Sequence, residues 1–472
     1  MATFHSEPYI YLAGLRHDAA LIAWGAFYFR TSSGGADDEM KLVEDKDLKH
    51  VFPPRKTSIG RSSQSYGNAI VSVKAADGSF AVDVAVSKEE NRNHVWVHGL
   101  RPDTNYTYEV RVNGEVWAGG PRRDWLIEKT VRGFRRTAAE YQNRFRTFPD
   151  PTATAPDFSF AIIGDYGRGV DREDDDPGGS NRQAHLATAL TALIDAENIR
   201  FLLTTGDNIY GRGLFRKDSG RDDDDWFFPF FQPYRYIINR VPTFPTCGNH
   251  DDDETEAAED FLAMLDNFYI DERLGVDIKD KGDASEAKGL FYRFRFGSNV
   301  EFVALDTSAD GGIRQFDKPV NRAFLAKTFP PAVSANDMWR IPFFHHPPFC
   351  QGPVHGDDRE VEKSLVDDFF SKAGVRVVFA GHEHLYEVVD HGAIRYYVTG
   401  GGGEVRTGPL KKKSKAAVIA VAQVPHVLVV KISGKTMTVT PFGERDGVPV
   451  VLPRVVDLNQ TLVPAVTTAS LP

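Results

Sequence analysis

Phe158-Ser-Phe-Ala-Ile-Ile-Gly-Asp165-Tyr-Gly167 is an apolar run, broken only by Ser159, that ends on a glycine and a carboxylate. Six residues are too few for a core helix, and the glycine that stops them marks a buried strand. The pattern returns at Phe201-Leu-Leu-Thr-Thr-Gly-Asp207-Asn-Ile-Tyr210. Between the two, residues 181–197 put Leu186, Leu190, Leu193 and Ile194 on one helical face. Strand, helix and strand, with a polar group at the carboxyl end of each strand, predict an α/β layered domain.

Three further islands follow in order: Gly248-Asn249-His250-Asp251, His345-His346-Pro347-Pro348 and Gly381-His382-Glu383-His384. The last two each follow an apolar run, Arg340–Phe344 and Val375–Phe379, and Val300–Leu305 and Ile394–Val398 read as additional strands. Together the islands offer carboxylate, phenol, amide and imidazole donors. A hydrolytic centre with two metals needs hard anionic oxygens to hold the cations, imidazoles to tune them, and one shared ligand. Asp165 and Asp207 at strand ends supply the carboxylates, and Asn249 supplies a neutral carbonyl oxygen. His382 and His384, two apart on an extended or loop segment, can face neighbouring metals. Six of the 14 histidines fall between His250 and His384, a concentration that core or surface histidines do not produce. Gly400–Gly403 lacks the strand–helix context of a phosphate-binding loop and reads as a tight turn that lets backbone approach the site.

With 472 residues the chain is long enough for two or three domains. A net charge of −10 argues against binding to nucleic acid or an anionic membrane. The one basic run, Lys411-Lys412-Lys413 with Lys415, reads as a solvated turn. Two cysteines, Cys247 and Cys350, cannot make a disulfide framework and read as buried thiols. The first residues show no basic stretch followed by an apolar one, and no segment reaches the roughly 18 uninterrupted apolar residues of a membrane span. The expectation is a cytoplasmic chain.

Residues 1–150 carry strand signals and little helix. Ala19–Phe29 is apolar and aromatic, Phe80–Val86 and His94–His98 alternate, and Gly99-Leu100-Arg101-Pro102 turns the chain into Tyr106–Val112. Short alternating runs between Gly, Pro and Asp turns predict a β-sandwich. Leu100 to Tyr106, in the pattern Leu-x-Pro-x-Thr-x-Tyr, resembles the E–F corner of a fibronectin type III domain, where the tyrosine hydroxyl ties back to the backbone. His94 and His98 are expected on the strand surface. Pro149, Pro151 and Pro156 mark a linker. His426–Ile432 and Thr436–Thr440 flank Ser433-Gly434 as a hairpin expected to close a sheet edge, and the chain from about 455 reads as a tail.

The ordered islands over residues 158–403 resemble the calcineurin-like metallophosphoesterases, and among them the purple acid phosphatases. Most relatives carry Asp-x-His in the first island, where Gly167 stands here; the purple branch instead has a tyrosine three residues after the second aspartate, matched by Tyr210. The resemblance implies a fibronectin type III-like β-sandwich over 1–150, an αββα-type metallophosphoesterase domain over 155–450, and a tail over 451–472. It implies Fe(III) on Asp165, Tyr210 and His384, a divalent Fe, Zn or Mn on Asn249, His346 and His382, and Asp207 bridging the two. A phenolate is a hard anionic donor and favours the ferric ion. In the fourth island the His-x-Pro pattern points to His346, with His345 as second choice. His250, directly after Asn249, and His355, nine residues past His346, correspond to the family's groups that bind phosphoryl oxygens and protonate the leaving alkoxide.

The implied reaction is hydrolysis of phosphate monoesters on a small phosphorylated substrate by a hydroxide of the dimetal centre. The alternatives are a phosphodiesterase acting on a small diester, and a non-catalytic binding protein with a vestigial site. Acidic runs at Asp171–Asp176, Asp222–Asp225 and Asp251–Glu254 stand near the islands. If they faced the pocket they would favour cationic or less charged substrates, because their field repels a phosphate dianion over a screening length of about 8–10 Å.

Overall fold

The protein is described from a computed structural model, over residues 3–31, 40–42, 66–118, 121–122, 139–170, 182–210, 226–251, 264–274, 290–310, 312–331, 338–410 and 413–472. Two seven-stranded mixed sheets build its larger part. In the first, Phe158–Ile163 lies between Ile199–Thr204, which is parallel to it, and Val427–Ser433, which is antiparallel. The second runs through Tyr292–Arg295, Val300–Ala304, Trp339–Phe343, Val377–Ala380, Ile394–Thr399, Tyr386–His391 and Ala417–Ala422. Its central pairings are parallel.

Phenylalanines fill the space between these sheets. Phe160 stacks on Phe201 with centroids 5.2 Å apart, and both meet Phe302 of the second sheet edge-on at 5.0 Å. Such offset and edge contacts suit the ring quadrupole and add to the apolar area already buried. On the outer face of the first sheet lies the helix Gln183–Ala196, burying Leu186, Leu190, Leu193 and Ile194 as the periodicity predicts. Leu365, Val366 and Phe370 of the helical stretch 359–373 pack with Val303, Phe344 and Val378 of the second sheet. The layers therefore follow the order helix, sheet, sheet, helix. Parallel strands need such covering helices, since both of their faces are apolar.

The hairpin Val427–Ser433 and Thr436–Arg445 is present but does not close an edge. Val448–Val451 and Thr467–Ser470 both pair with its second strand. Thr467–Ser470 falls in the stretch read as a tail, where polar and small residues hide a strand whose partner supplies the apolar face.

Among the described residues before 150, a four-stranded and a five-stranded antiparallel sheet share one buried cluster through their apolar faces, including Leu21, Val71, Val97 and Val110, and Pro121–Arg122 pairs separately with Ala139–Glu140. At the predicted corner the Tyr106 hydroxyl accepts the Arg101 backbone N–H at 2.8 Å. The first of these sheets packs on the segment 226–239 through aromatic rings: Tyr9 meets Phe231 at 4.6 Å and Phe27 meets Phe227 at 4.8 Å. A buried Glu7–Arg235 pair at 3.3 Å crosses the same contact. His94 is buried rather than on the surface, because its ring packs on Tyr269 and its Nε2 lies 3.2 Å from Glu272. His98 is exposed as expected. Both cysteines are buried. Among the described residues no helix is long and apolar enough to cross a membrane.

Candidate metal centre

Asp165, Asp207 and His382, three of the predicted ligands, have φ of 55°, 49° and 69°. Left-handed backbone at a residue with a Cβ costs on the order of 1 kcal/mol or more and is retained where the surroundings over-determine it. All three stand just beyond strand ends, where the chain must turn sharply to aim a side chain back across the sheet edge. Glycines make room for them. A Cβ on Gly381 would lie 2.5 Å from Asp165 Oδ2, and one on Gly400 2.8 Å from the same oxygen. A Cβ on Gly248 would collide with the Asp207 carboxylate. The Gly400–Gly403 turn is thus a close approach of backbone to the site, as predicted.

Two groups of donors meet around Asp207. In the first, Tyr210 Oη lies 3.0 Å from His384 Nε2 and 3.3 Å from Asp165 Oδ1, and His384 Nε2 is 3.4 Å from that oxygen. In the second, His345 Nε2 lies 3.0 Å from Asn249 Oδ1, 3.1 Å from His382 Nδ1 and 3.4 Å from Asp207 Oδ1. His345 Nδ1 faces the Thr205 carbonyl at 2.8 Å. A carbonyl only accepts, so Nδ1 carries a proton and Nε2 is the nitrogen turned to the two oxygens. In the neutral ring that nitrogen offers a lone pair, which a cation among these oxygens would take up.

Charge states point the same way. Burial drives the Asp165 carboxyl well above its ordinary range, and Asp207 beside it adds to the shift. Burial, with Asp207 and Asp165, pushes the Tyr210 phenol well above its usual 10.0. Burial, with Arg406 nearby, holds the His384 imidazole down to about 4, and burial takes His382 far below its usual value. The imidazoles therefore offer lone pairs rather than protons. Asp165 and the Tyr210 phenol need nearby positive charge to ionise, whereas Asp207 lies below its ordinary value, because burial, which raises it, is outweighed by His345, His250 and the His250 backbone N–H. This donor set fits two cations sharing Asp207.

The fourth island brings both of its histidines to the centre. His346 belongs to the cluster, with a ring nitrogen within 4.8 Å of the donor atoms of His345 and His382. It is His345, however, that reaches Asn249 and Asp207. The His346 ring is turned 85° from that of His345, and its Nδ1 meets Thr307 Oγ1 at 2.9 Å. His-x-Pro fits both residues, through Pro347 and Pro348, so the motif does not separate them. The Thr205 carbonyl fixes the direction of the His345 ring.

His250 and His355 flank the centre. The His250 ring is 4.5 Å from that of Tyr210, and its backbone N–H donates to Asp207 Oδ1 at 3.0 Å. The His355 ring lies 3.8 Å from that of His382. A cavity of about 550 Å³ opens over the second donor group, lined by Asn249, His346, His355 and His382, with Arg314 and Arg359 on its wall.

Some supporting residues escaped the sequence. Asp251, counted above in an acidic run, is fully buried and accepts from Asn208 N and Gly248 N, both at 2.8 Å, and from Ile209 N at 3.2 Å. It ties the Asp207 loop to the Asn249 loop and does not face the pocket. Its place directly after Asn249-His250 was the available signal. Residues 171–176, 222–225 and 252–254 of the acidic runs, and Lys411 and Lys412 of the basic one, lie outside the described residues.

Residues 158–386 match the family described as calcineurin-like phosphoesterase. Purple acid phosphatase 4 of Arabidopsis thaliana is 24% identical over 265 residues, 55% of this chain and 71% of that protein. Purple acid phosphatase 17 of the same plant is 26% identical over 265 residues, 54% and 71% of the two chains. The chain is similar to the purple acid phosphatases among the calcineurin-like phosphoesterases. The solved structure of purple acid phosphatase PPD1 from yellow lupin (Lupinus luteus) seeds shares its fold, with a TM-score of 0.55 at 13% identity, covering 98% of this chain and 74% of that one. The structure of PhoD gives 0.60 at 12% identity, covering 98% and 91%. The phosphoesterase match and the phosphatase relatives support a phosphoester hydrolase.

Behind the glycine turn, His426 is fully buried; its Nε2 is 3.1 Å from Thr399 Oγ1, and a Cβ on Gly401 would lie 2.6 Å from its Nδ1. Burial holds its imidazole down to about 4. The unfolded chain, with the ordinary value of 6.5, therefore binds the proton more tightly, so stability is full above pH 6.5 and falls as pH drops towards 4. The loss from this one group amounts to about 3 kcal/mol. His426→Gln is expected to flatten the denaturant midpoint over pH 6.5–4; an unchanged slope would remove His426 from the account.

Proposed function

We propose that the chain hydrolyses phosphate monoesters with two cations, Fe(III) on Asp165, Tyr210 and His384 and a divalent Fe, Zn or Mn on Asn249, His345 and His382, with Asp207 shared. The observation that carries the proposal is the convergence of both donor groups on Asp207, with Asn249 and His382 of the second group lining the 550 Å³ cavity. Placing His345 in the second set replaces the motif-based choice of His346. When bound, the cations would acidify a water at near-neutral pH and neutralise charge on the phosphoryl oxygens. Tyr210 favours the ferric ion, because a phenolate is a hard anionic donor.

The chain's own groups complete the chemistry. Thr307 Oγ1 accepts the His346 backbone N–H at 3.0 Å, and we read it as giving its own hydroxyl proton to His346 Nδ1 at 2.9 Å. His346 Nε2 then carries an N–H on the cavity side and serves as a donor to a phosphoryl oxygen. His250 and His355 hold the remaining phosphoryl oxygens and pass a proton to the departing alkoxide. The sheets before residue 150 are read as a fibronectin type III-like sandwich, supported by the Tyr106 corner.

The test compares p-nitrophenyl phosphate with bis(p-nitrophenyl) phosphate on the purified chain. The expected kcat/KM is at least about tenfold higher for the monoester, a difference of roughly 1.4 kcal/mol in transition-state binding. A preference for the diester would move the substrate class, and hydrolysis of neither by a metal-replete chain would end the enzymatic proposal.

A further inference from the structure

A second cavity, of about 450 Å³, lies where the N-terminal sheets meet the first catalytic sheet. Arg144 and Arg146 enter it from the strand Arg144–Arg146, which pairs with Asn105–Thr107. Arg200 enters from the strand Ile199–Thr204 and Arg240 from the turn after Arg235–Ile238. Asp195 is the single carboxylate among the lining residues.

The pairing leaves positive charge over. Asp195 is shared by Arg144 at 2.7 Å and Arg240 at 3.0 Å. Asp103 is shared by Arg146 at 2.7 Å and Arg200 at 3.1 Å. Four guanidiniums thus answer two carboxylates, in a chain whose net charge is −10. Two of the four are buried: Arg200 is 4% exposed and Arg240 7%. Burial, reinforced by Arg146, brings Arg200 down to about 10. The Arg200 Nε is buried without a hydrogen-bond partner. Surplus, partly desolvated guanidiniums converging from both sides of a cleft match a phosphate group, which accepts forked N–H pairs and supplies the missing negative charge. Tyr106, Phe145 and Ile194 give the same cleft an apolar wall.

We propose that this cleft binds a phosphate-type oxyanion, either inorganic phosphate or the phosphate end of a larger small molecule, separately from the metal centre. The bound anion would bridge the N-terminal sheet and the catalytic sheet by neutralising guanidiniums of both.

Calorimetric titration of the purified full-length chain with non-hydrolysable methylenediphosphonate tests this. Two classes of site are expected. His345→Ala removes one, and Arg144→Gln/Arg146→Gln weakens the other by about tenfold or more while kcat/KM for p-nitrophenyl phosphate stays near wild type. Asp195→Asn, which removes a competing charge, is expected to tighten the second class about fivefold. Adenosine methylenediphosphate in place of methylenediphosphonate separates the sources: equal affinity assigns the site to the phosphate alone, and tighter binding to a nucleotide. A single class that vanishes with His345→Ala, or a second class indifferent to both arginine and Asp195 substitutions, would overturn the proposal. Because the two classes are scored on different variants, failure here is distinct from failure of the phosphatase proposal.

Discussion

Asp207→Ala is expected to lower kcat/KM by about 10³-fold and to empty both metal positions of the purified chain, a loss of roughly 4 kcal/mol of transition-state stabilisation. Asp207 is the residue on which both donor groups depend. Its Oδ1 faces His345 of one group at 3.4 Å, and its carboxylate reaches Tyr210 of the other. The His250 backbone N–H and the crowding against Gly248 fix its position. Removing it deletes a negative charge from between two cations in a buried site, where the remaining donors cannot re-form the centre. Metal analysis alongside kinetics checks the mechanism as well as the size. A tenfold loss with both metals retained would mean that Asp207 does not bridge.

The two adjacent histidines are expected to separate cleanly. His345→Ala should lower affinity for the second metal by at least the roughly 10–100-fold typical even of residues that only support a ligand, with activity falling in step. His346→Ala should keep both metals and lose about 10²-fold in kcat, as deletion of a transition-state hydrogen-bond donor does. Their difference rests on tautomer. The Thr205 carbonyl forces the proton of His345 onto Nδ1, while the Thr307 hydroxyl takes up Nδ1 of His346. If His346→Ala loses metal and His345→Ala does not, the roles are reversed and the motif-based choice stands.

The contrast shows which parts of this protein are legible in its sequence. Phe158–Ile163 and Ile199–Thr204 were readable because a buried parallel strand is a short apolar run stopped by glycine, and the helix between them because its leucines share a face. The donors at the strand ends were readable because ligands follow their strands directly. Thr467–Ser470 was not, since an edge strand that borrows its apolar neighbour needs no apolar residues of its own. His345 and His346 were ambiguous for a different reason. Consecutive residues differ only in direction, and direction is set by Thr205 and Thr307, distant in sequence. Asp251 escaped because a buried carboxylate satisfied by backbone amides looks, in sequence, like one member of a solvated acidic run.

The central claim is a two-metal centre built on Asp207 with an iron held by Tyr210. Its most direct test is metal content per chain together with the visible spectrum of the wild type and Tyr210→Phe. The account predicts two metal ions per chain, one of them iron, and a visible absorption band in the wild type that disappears in Tyr210→Phe. A colourless wild type holding two zinc or two manganese ions would contradict the ferric assignment, and a fully active chain with no bound metal would contradict the centre itself.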